Sequence, residues 1–194
     1  MSVRFLPDNA ALMVIDVQKA WDDPAWGPRN NPTAEYHIEQ LLAHWRERQR
    51  PVIIVEHHSL SSQSLLSPDQ PGVELKPLAM PHPTDHHVIK HVNSAFIGTG
   101  LDGWLKERGI ATVVVTGFTT VHCCSTTIRM AGNLGYQVYA VEDAMATFDT
   151  VTSHGHVIPA ATMHAVELAA LDREFCTVTE TRTIIEGRAA SEEF

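Results

Sequence analysis

Three unbroken apolar runs constrain this chain more than anything else in it: Ala11-Leu-Met-Val-Ile15, Pro51-Val-Ile-Ile-Val55, and the valines Val113 to Val115 inside Thr112–Thr116. A strand wetted on one face alternates apolar and polar residues. A strand covered on both faces does not, so such runs belong in a parallel sheet packed between helices. Helical spacing lies between them. Thr33 precedes Ile38, Leu41, Leu42 and Trp45; Thr99 precedes Leu101, Trp104 and Leu105, with Gly109 as a stop; Cys123–Leu134 ends at Gly135; Pro159–Leu171 forms a further helix. Weaker strands are expected at His87–Lys90, Gln137–Val141 and Cys176–Thr181. The order strand, helix, strand, joined by right-handed crossovers, predicts an α/β fold: a three-layer α-β-α sandwich around a six-stranded, mostly parallel sheet.

At 194 residues the chain suits one domain spanning 1–194, with no internal repeat or linker and a polar tail over 182–194 expected to be disordered or to dock on a neighbouring subunit. A long irregular segment from Ser59 to Asp85, rich in Ser, Pro and Gln, is the kind of loop that covers or edges a site. With 23 acidic against 14 basic residues and a net charge of -9, the chain lacks the clustered cations of a nucleic-acid partner. No run approaches the roughly 18 apolar residues of a membrane span, and Met1-Ser-Val-Arg-Phe-Leu-Pro7 is no signal peptide, so a cytoplasmic protein is expected. Three cysteines, two of them adjacent, make neither a disulfide framework nor a zinc set. The twelve histidines are expected mostly on the surface, where the net charge shrinks as pH falls through about 6.5.

Chemistry is suggested where strands end. In open parallel sheets ligands bind beyond the carboxyl ends of the strands, near the switch in strand order. Asp16 ends the first strand, Lys90 ends the third, and Cys123 lies where the fourth hands over to a helix. Unpaired N–H groups at a helix start favour a thiolate and can receive an oxyanion. Each residue also has a plain reading: Asp16 as a loop cap, Lys90 as a solvated strand end, Cys123 as core packing. An acid, a cation and a thiol on one edge together point to an active site.

Four blocks carry a resemblance: Leu12-Met-Val-Ile-Asp-Val-Gln18 with Trp21; Ile89-Lys90 with Ser94-Ala-Phe-Ile-Gly-Thr99; Val115-Thr-Gly-Phe-Thr-Thr-Val-His-Cys123 with Thr126-Thr127 and Gly135-Tyr136; and Val141-Glu-Asp-Ala144. The chain resembles the isochorismatase-like cysteine hydrolases, a superfamily that includes nicotinamidases, N-carbamoylsarcosine amidohydrolases and isochorismatases. The resemblance implies a Rossmann-like sheet and a triad of Asp16, Lys90 and Cys123. It also implies a cis peptide between Phe118 and Thr119, with the N–H groups of Thr119 and Cys123 aimed at an oxyanion. Adjacent helical residues point about 100° apart, so only one of the two thiols can serve. The family pattern selects Cys123 and places a small apolar residue at Cys124. Gln18, Trp21, His57, Phe96, Thr120 and Phe148 are expected pocket walls by position.

The activity so implied is hydrolysis of a small carboxamide or ureido compound through a thioester, with no cofactor. Isochorismatase-type vinyl-ether hydrolysis is the enzymatic alternative, and it is disfavoured by the presence of Cys123. A non-catalytic binding protein or a Cys123-Cys124 redox sensor is the alternative of another class. Nicotinamidases carry a metal-binding Asp-x-His pair after the second strand; here that place reads Glu56-His57-His58-Ser59, so no metal is expected. The partners expected are a small-molecule substrate and copies of the same chain, in a homodimer or homotetramer.

Overall fold

The computed structural model describes residues 6–187. Its central sheet holds β1 (Ala11–Ile15), β2 (Val52–His57), β3 (His86–Lys90), β4 (Thr112–Phe118), β5 (Gln137–Ala146) and β8 (Thr177–Thr179), in the order β3-β2-β1-β4-β5-β8. All five pairings are parallel. The order reverses between β1 and β4, so the switch point lies where Asp16 and the Cys123 turn meet.

The unbroken apolar runs are buried on both faces, as their composition requires. Leu12 and Val14 pack toward α1 (Ala34–Glu47), meeting Ile38, Leu41, Leu42 and Trp45. Their neighbours Ala11, Met13 and Ile15 point the other way, toward α2 (Leu101–Glu107), α3 (Ser125–Asn133) and α4 (Ala160–Leu171). The period-2 alternation of a strand thus serves two cores at once. Gly117 shows how closely β4 runs along β1. Its φ is +122°, and a Cβ there would lie 2.0 Å from the carbonyl oxygen of Ile15.

Four details depart from the sequence reading. β5 continues to Ala146, five residues past its expected end, after a register shift against β4. A small antiparallel hairpin, β6 (Thr150–Val151) and β7 (Val157–Ile158), follows it. The expected helix from Cys123 is split into a wide, π-type turn over Thr120–Cys124 and α3 proper. The tail expected from 182 begins instead as helix α5 (Thr181–Glu186), because Ile184 is buried in the core shared with α1 and Thr181 caps onto the Asp143 carboxylate. The remainder of that tail lies outside the described residues.

The segment from 59 to 85 is tied down rather than loose. Leu66, Leu75 and Ala79 are buried, and Lys76 bonds Asp22 at 2.5 Å and Glu35 at 2.8 Å. Arg29 forks onto the same Glu35 at 2.8 Å through each of two nitrogens. Burial pushes the Glu35 carboxyl up, but the hydrogen bonds from Arg29 and Lys76 outweigh it and hold the group at about 2. Both cations also lie over the Phe118 ring, at 5.2 and 5.7 Å.

Candidate active site

Four consecutive sheet positions converge beyond the strand ends. Asp16 follows β1 with φ at +51°, a left-handed conformation that Asp tolerates better than most residues. Its N–H donates to the Val55 carbonyl, and its own carbonyl accepts from the indole of Trp21 at 2.5 Å and from the N–H of Gln18 at 2.9 Å. That turn points the carboxylate inward, where Lys90 donates to Asp16 Oδ2 at 2.8 Å. Both side chains are fully buried. Lys90 is therefore no solvated strand end. The other oxygen, Asp16 Oδ1, is sealed from solvent and has no hydrogen-bond partner among the described residues.

His57 completes the group from the end of β2. Its Nδ1 lies 3.0 Å from Lys90 Nζ, 3.7 Å from Cys123 Sγ and 3.8 Å from Asp16 Oδ2. Gln18 does not line the cleft but fixes His57 from behind. Its side-chain amide accepts from the N–H of His57 at 2.9 Å and donates to the carbonyls of His57 and Val73 at 3.0 and 2.7 Å.

The two adjacent thiols are sorted by the turn. Cys123 opens on the cleft, while Cys124 is wholly buried against the α2–α4 core. The peptide bond between Phe118 and Thr119 is cis. The Thr119 carbonyl accepts from the N–H groups of His122 and Cys124, both at 3.2 Å, and passes over that of Cys123 between them. Contrary to the helix-terminus argument, the Cys123 thiol is pushed up, not down. Burial is the main cause and the Asp16 carboxylate the next, with Lys90 opposing both. Burial and the nearby carboxylate therefore favour the thiol over the thiolate.

The cleft has a volume of about 270 Å³. Trp21, Trp26 and Phe148 form one wall, with ring centroids 5.0 to 6.1 Å apart, and Leu66 extends it from the long segment. His57, Asn93, Thr119 and His122 face it across the mouth of Cys123. Besides Gln18, two expected wall residues are elsewhere. Phe96 stacks on Tyr136 at 5.8 Å against the opposite core, and the Thr120 hydroxyl is held by His164 Nδ1 at 2.8 Å in the interior. Trp26, Leu66, Asn93, His122, Thr147, Asp149 and Thr150 were not expected there, whereas Trp21, His57 and Phe148 were. Only Trp26, an aromatic five residues after Trp21, carried a usable signal. A larger hollow of about 520 Å³ beside His44 and Arg50 lies at the ends of the described residues and holds none of these groups.

Asp16, His57 and Cys123 form the one set of potential metal donors found among the described residues, their ligand atoms all within 4.8 Å of one another. Lys90 Nζ lies 2.8 Å from Asp16 Oδ2 and 3.0 Å from His57 Nδ1, so an ammonium already stands beside two of these three donors.

The isochorismatase-domain profile matches residues 10–183. The chain belongs to the isochorismatase family. An uncharacterised member from Bacillus subtilis, YrdC, is 43% identical over 180 residues, covering 93% of this chain and 96% of that one. The solved structure of an isochorismatase-family protein from Chromobacterium violaceum superposes with a TM-score of 0.91 at 43% identity, covering 95% and 96% of the two chains. A ureidoacrylate amidohydrolase from Enterobacter is 28% identical over 135 residues, which is 70% of this chain and 54% of that enzyme. This isochorismatase-family chain is accordingly a hydrolase whose relatives include amidohydrolases. No helix among its described residues is long and apolar enough to cross a membrane.

Proposed function

We propose that this protein hydrolyses a C–N bond in a small carboxamide or ureido compound through a Cys123 thioester. The observation that carries the reading is a fully buried Lys90–Asp16 pair set against the thiol that opens on the cleft. Asp16 takes the thiol proton through its unpartnered Oδ1 as sulfur attacks the carbonyl carbon. The N–H of Cys123, passed over by the Thr119 carbonyl, supports the oxyanion. The C–N bond then breaks, the departing amine takes the proton back from Asp16, and water delivered by the same carboxylate cleaves the thioester. Burial and Asp16 favour the thiol over the thiolate, so in this mechanism proton transfer to Asp16 accompanies attack. Lys90 sets its ammonium against the Asp16 carboxylate, beside the developing thiolate.

Vinyl-ether hydrolysis needs the acid but not the thiol, so a Cys123 poised on the cleft favours the amide reading. The wholly buried position of Cys124 speaks against a redox pair. Three buried free cysteines suit the reducing cytoplasm expected for it. The test is ammonia release over nicotinamide, carbamoyl amino acids, biuret-like ureides and lactams, with Cys123→Ala and Cys124→Ala compared on the best substrate. Loss confined to Cys123→Ala supports the assignment. Equal loss in both folded variants, or no release from any compound, refutes it.

A further inference from the structure

We infer that His57 is a substrate-binding residue that presents Nε2–H to the cleft and selects a neutral hydrogen-bond acceptor beyond the scissile carbonyl. The inference rests on the amide-hydrolase reading for the word substrate, but its geometry is independent of the reaction.

An ammonium has three donors and no acceptor, so whatever it bonds must offer a lone pair. Lys90 Nζ reaches Asp16 Oδ2 at 2.8 Å and His57 Nδ1 at 3.0 Å, and it has no access to water. Nδ1 therefore carries the lone pair, and a neutral imidazole with an accepting Nδ1 must carry its proton on Nε2. A second proton on the ring would place an N–H against the ammonium. The groups facing the ring on this inner side are Lys90, Asp16 and Cys123; on the cleft side His122 and Asp149 line the same space.

Nε2 has no partner among the described protein groups, it is not sealed in the core, and the residue lines the cleft. Gln18 fixes the His57 main chain at both its N–H and its carbonyl, and the Lys90 contact at Nδ1 sets the direction of the ring. A fixed donor in a small, largely apolar cleft selects for an acceptor, since leaving it unpaired once the cleft is filled is costly. The charge of that acceptor follows from the other walls. Among the described residues no Lys or Arg lines the cleft, and Asp149 does. A carboxylate would enter without a compensating cation, whereas a second carbonyl, as in a ureide or imide, or an aromatic ring nitrogen would pair with Nε2–H at no such penalty. Gln18, reached by no ligand, acts through His57 as a positioning residue.

The test uses the full-length protein. Histidine 15N spectra, with the His57 signal assigned by its loss in variants, should show a neutral ring protonated on Nε2. A proton on Nδ1, or on both nitrogens, overturns the inference. Selectivity is read as protection of Cys123 from iodoacetamide by succinimide and by 2-pyrrolidinone, two uncharged five-membered rings that differ in one carbonyl. Succinimide should protect at concentrations at least tenfold lower. His57→Gln, which replaces the Nε2 donor, should keep most of that difference, and His57→Asn, which mimics only Nδ1, should lose it. Equal protection by both compounds in the parent, or undiminished discrimination in His57→Asn, overturns the proposal. Neither measurement depends on turnover, so failure of every amide in the ammonia assay would count against the hydrolase reading alone.

Discussion

Replacing Lys90 with methionine tests the core of the site more directly than any activity assay. At the observed 2.8 Å, the attraction between the Lys90 and Asp16 charges is about 6 kcal/mol for an effective dielectric near 20. Both charges are fully buried, so much of that attraction only offsets desolvation, and the pair need not stabilise the fold on balance. Removing one partner is different, because the methionine leaves Asp16 with its oxygens stranded. A loss of about 3–5 kcal/mol is expected, or roughly 10 °C in Tm for a chain of this size. Pairing Lys90→Met with Asp16→Asn removes the stranded charge, and the double variant should recover at least about 2 kcal/mol relative to the sum of the single losses. Urea unfolding of the four proteins completes the cycle, and no variant lacking the triad should release ammonia. Additivity within about 0.5 kcal/mol would show that the two charges do not sense each other, and the electrostatic account of the site would fail.

Other expectations follow from the same geometry. Asp16→Asn should abolish turnover yet make Cys123 react with iodoacetamide at lower pH, because Asp16 is one of the causes that push the thiol up; an upward shift would contradict the assignment. The Glu35 carboxyl, held at about 2 against an ordinary value of 4.5, contributes stability that is fully present above pH 4.5 and lost as pH falls toward 2. That contribution is worth about 3 kcal/mol at most, so Glu35→Gln should be less stable than the parent at pH 6 and lose less on acidification; parallel curves would refute the linkage. Dialysis against a strong chelator should leave activity intact, because Lys90 already serves as the cation for Asp16 and His57; loss restored by one divalent metal would overturn this. Assembly is expected to bury the exposed face of α4, where Ala161, Thr162, Ala165, Val166, Ala169 and Ala170 present no charge. Light scattering should give a dimer or larger for the parent and a smaller species for Val166→Lys, and a monomeric parent would refute it.

What could be read from the sequence was whatever local chemistry encodes. Runs such as Ala11–Ile15 announce a doubly covered strand by themselves, and the position of Asp16, Lys90 and Cys123 after successive runs follows from the topology those runs impose. The choice of Cys123 over Cys124 needed the family pattern, because both helical stripes were partly apolar; the π-type turn that separates them has no marker in the sequence. Phe96 and Thr120 were misplaced because position along the chain says nothing about which way a side chain leaves the backbone. The thiol was expected to be acidified by a helix start. Burial and Asp16 act in the opposite sense, and the Asp16 effect joins residues 107 positions apart. The helix at Thr181–Glu186 was hidden by its polar flanks, with Ile184 as its anchor to α1.

The Gln18 amide has a consequence for how such a cleft can change over evolutionary time. It joins the ends of β1 and β2 to the Val73 carbonyl of the long segment, so the length of chain between 58 and 73 is coupled to the position of the His57 main chain. An insertion or deletion there would shift the carbonyl, loosen the amide and disturb His57, even though the altered residues never touch a ligand. Point replacements at Trp26, Leu66 or Asn93 leave that linkage intact. Divergence within this lineage, or in a designed library, is thus channelled into swapping wall side chains while the loop keeps its length.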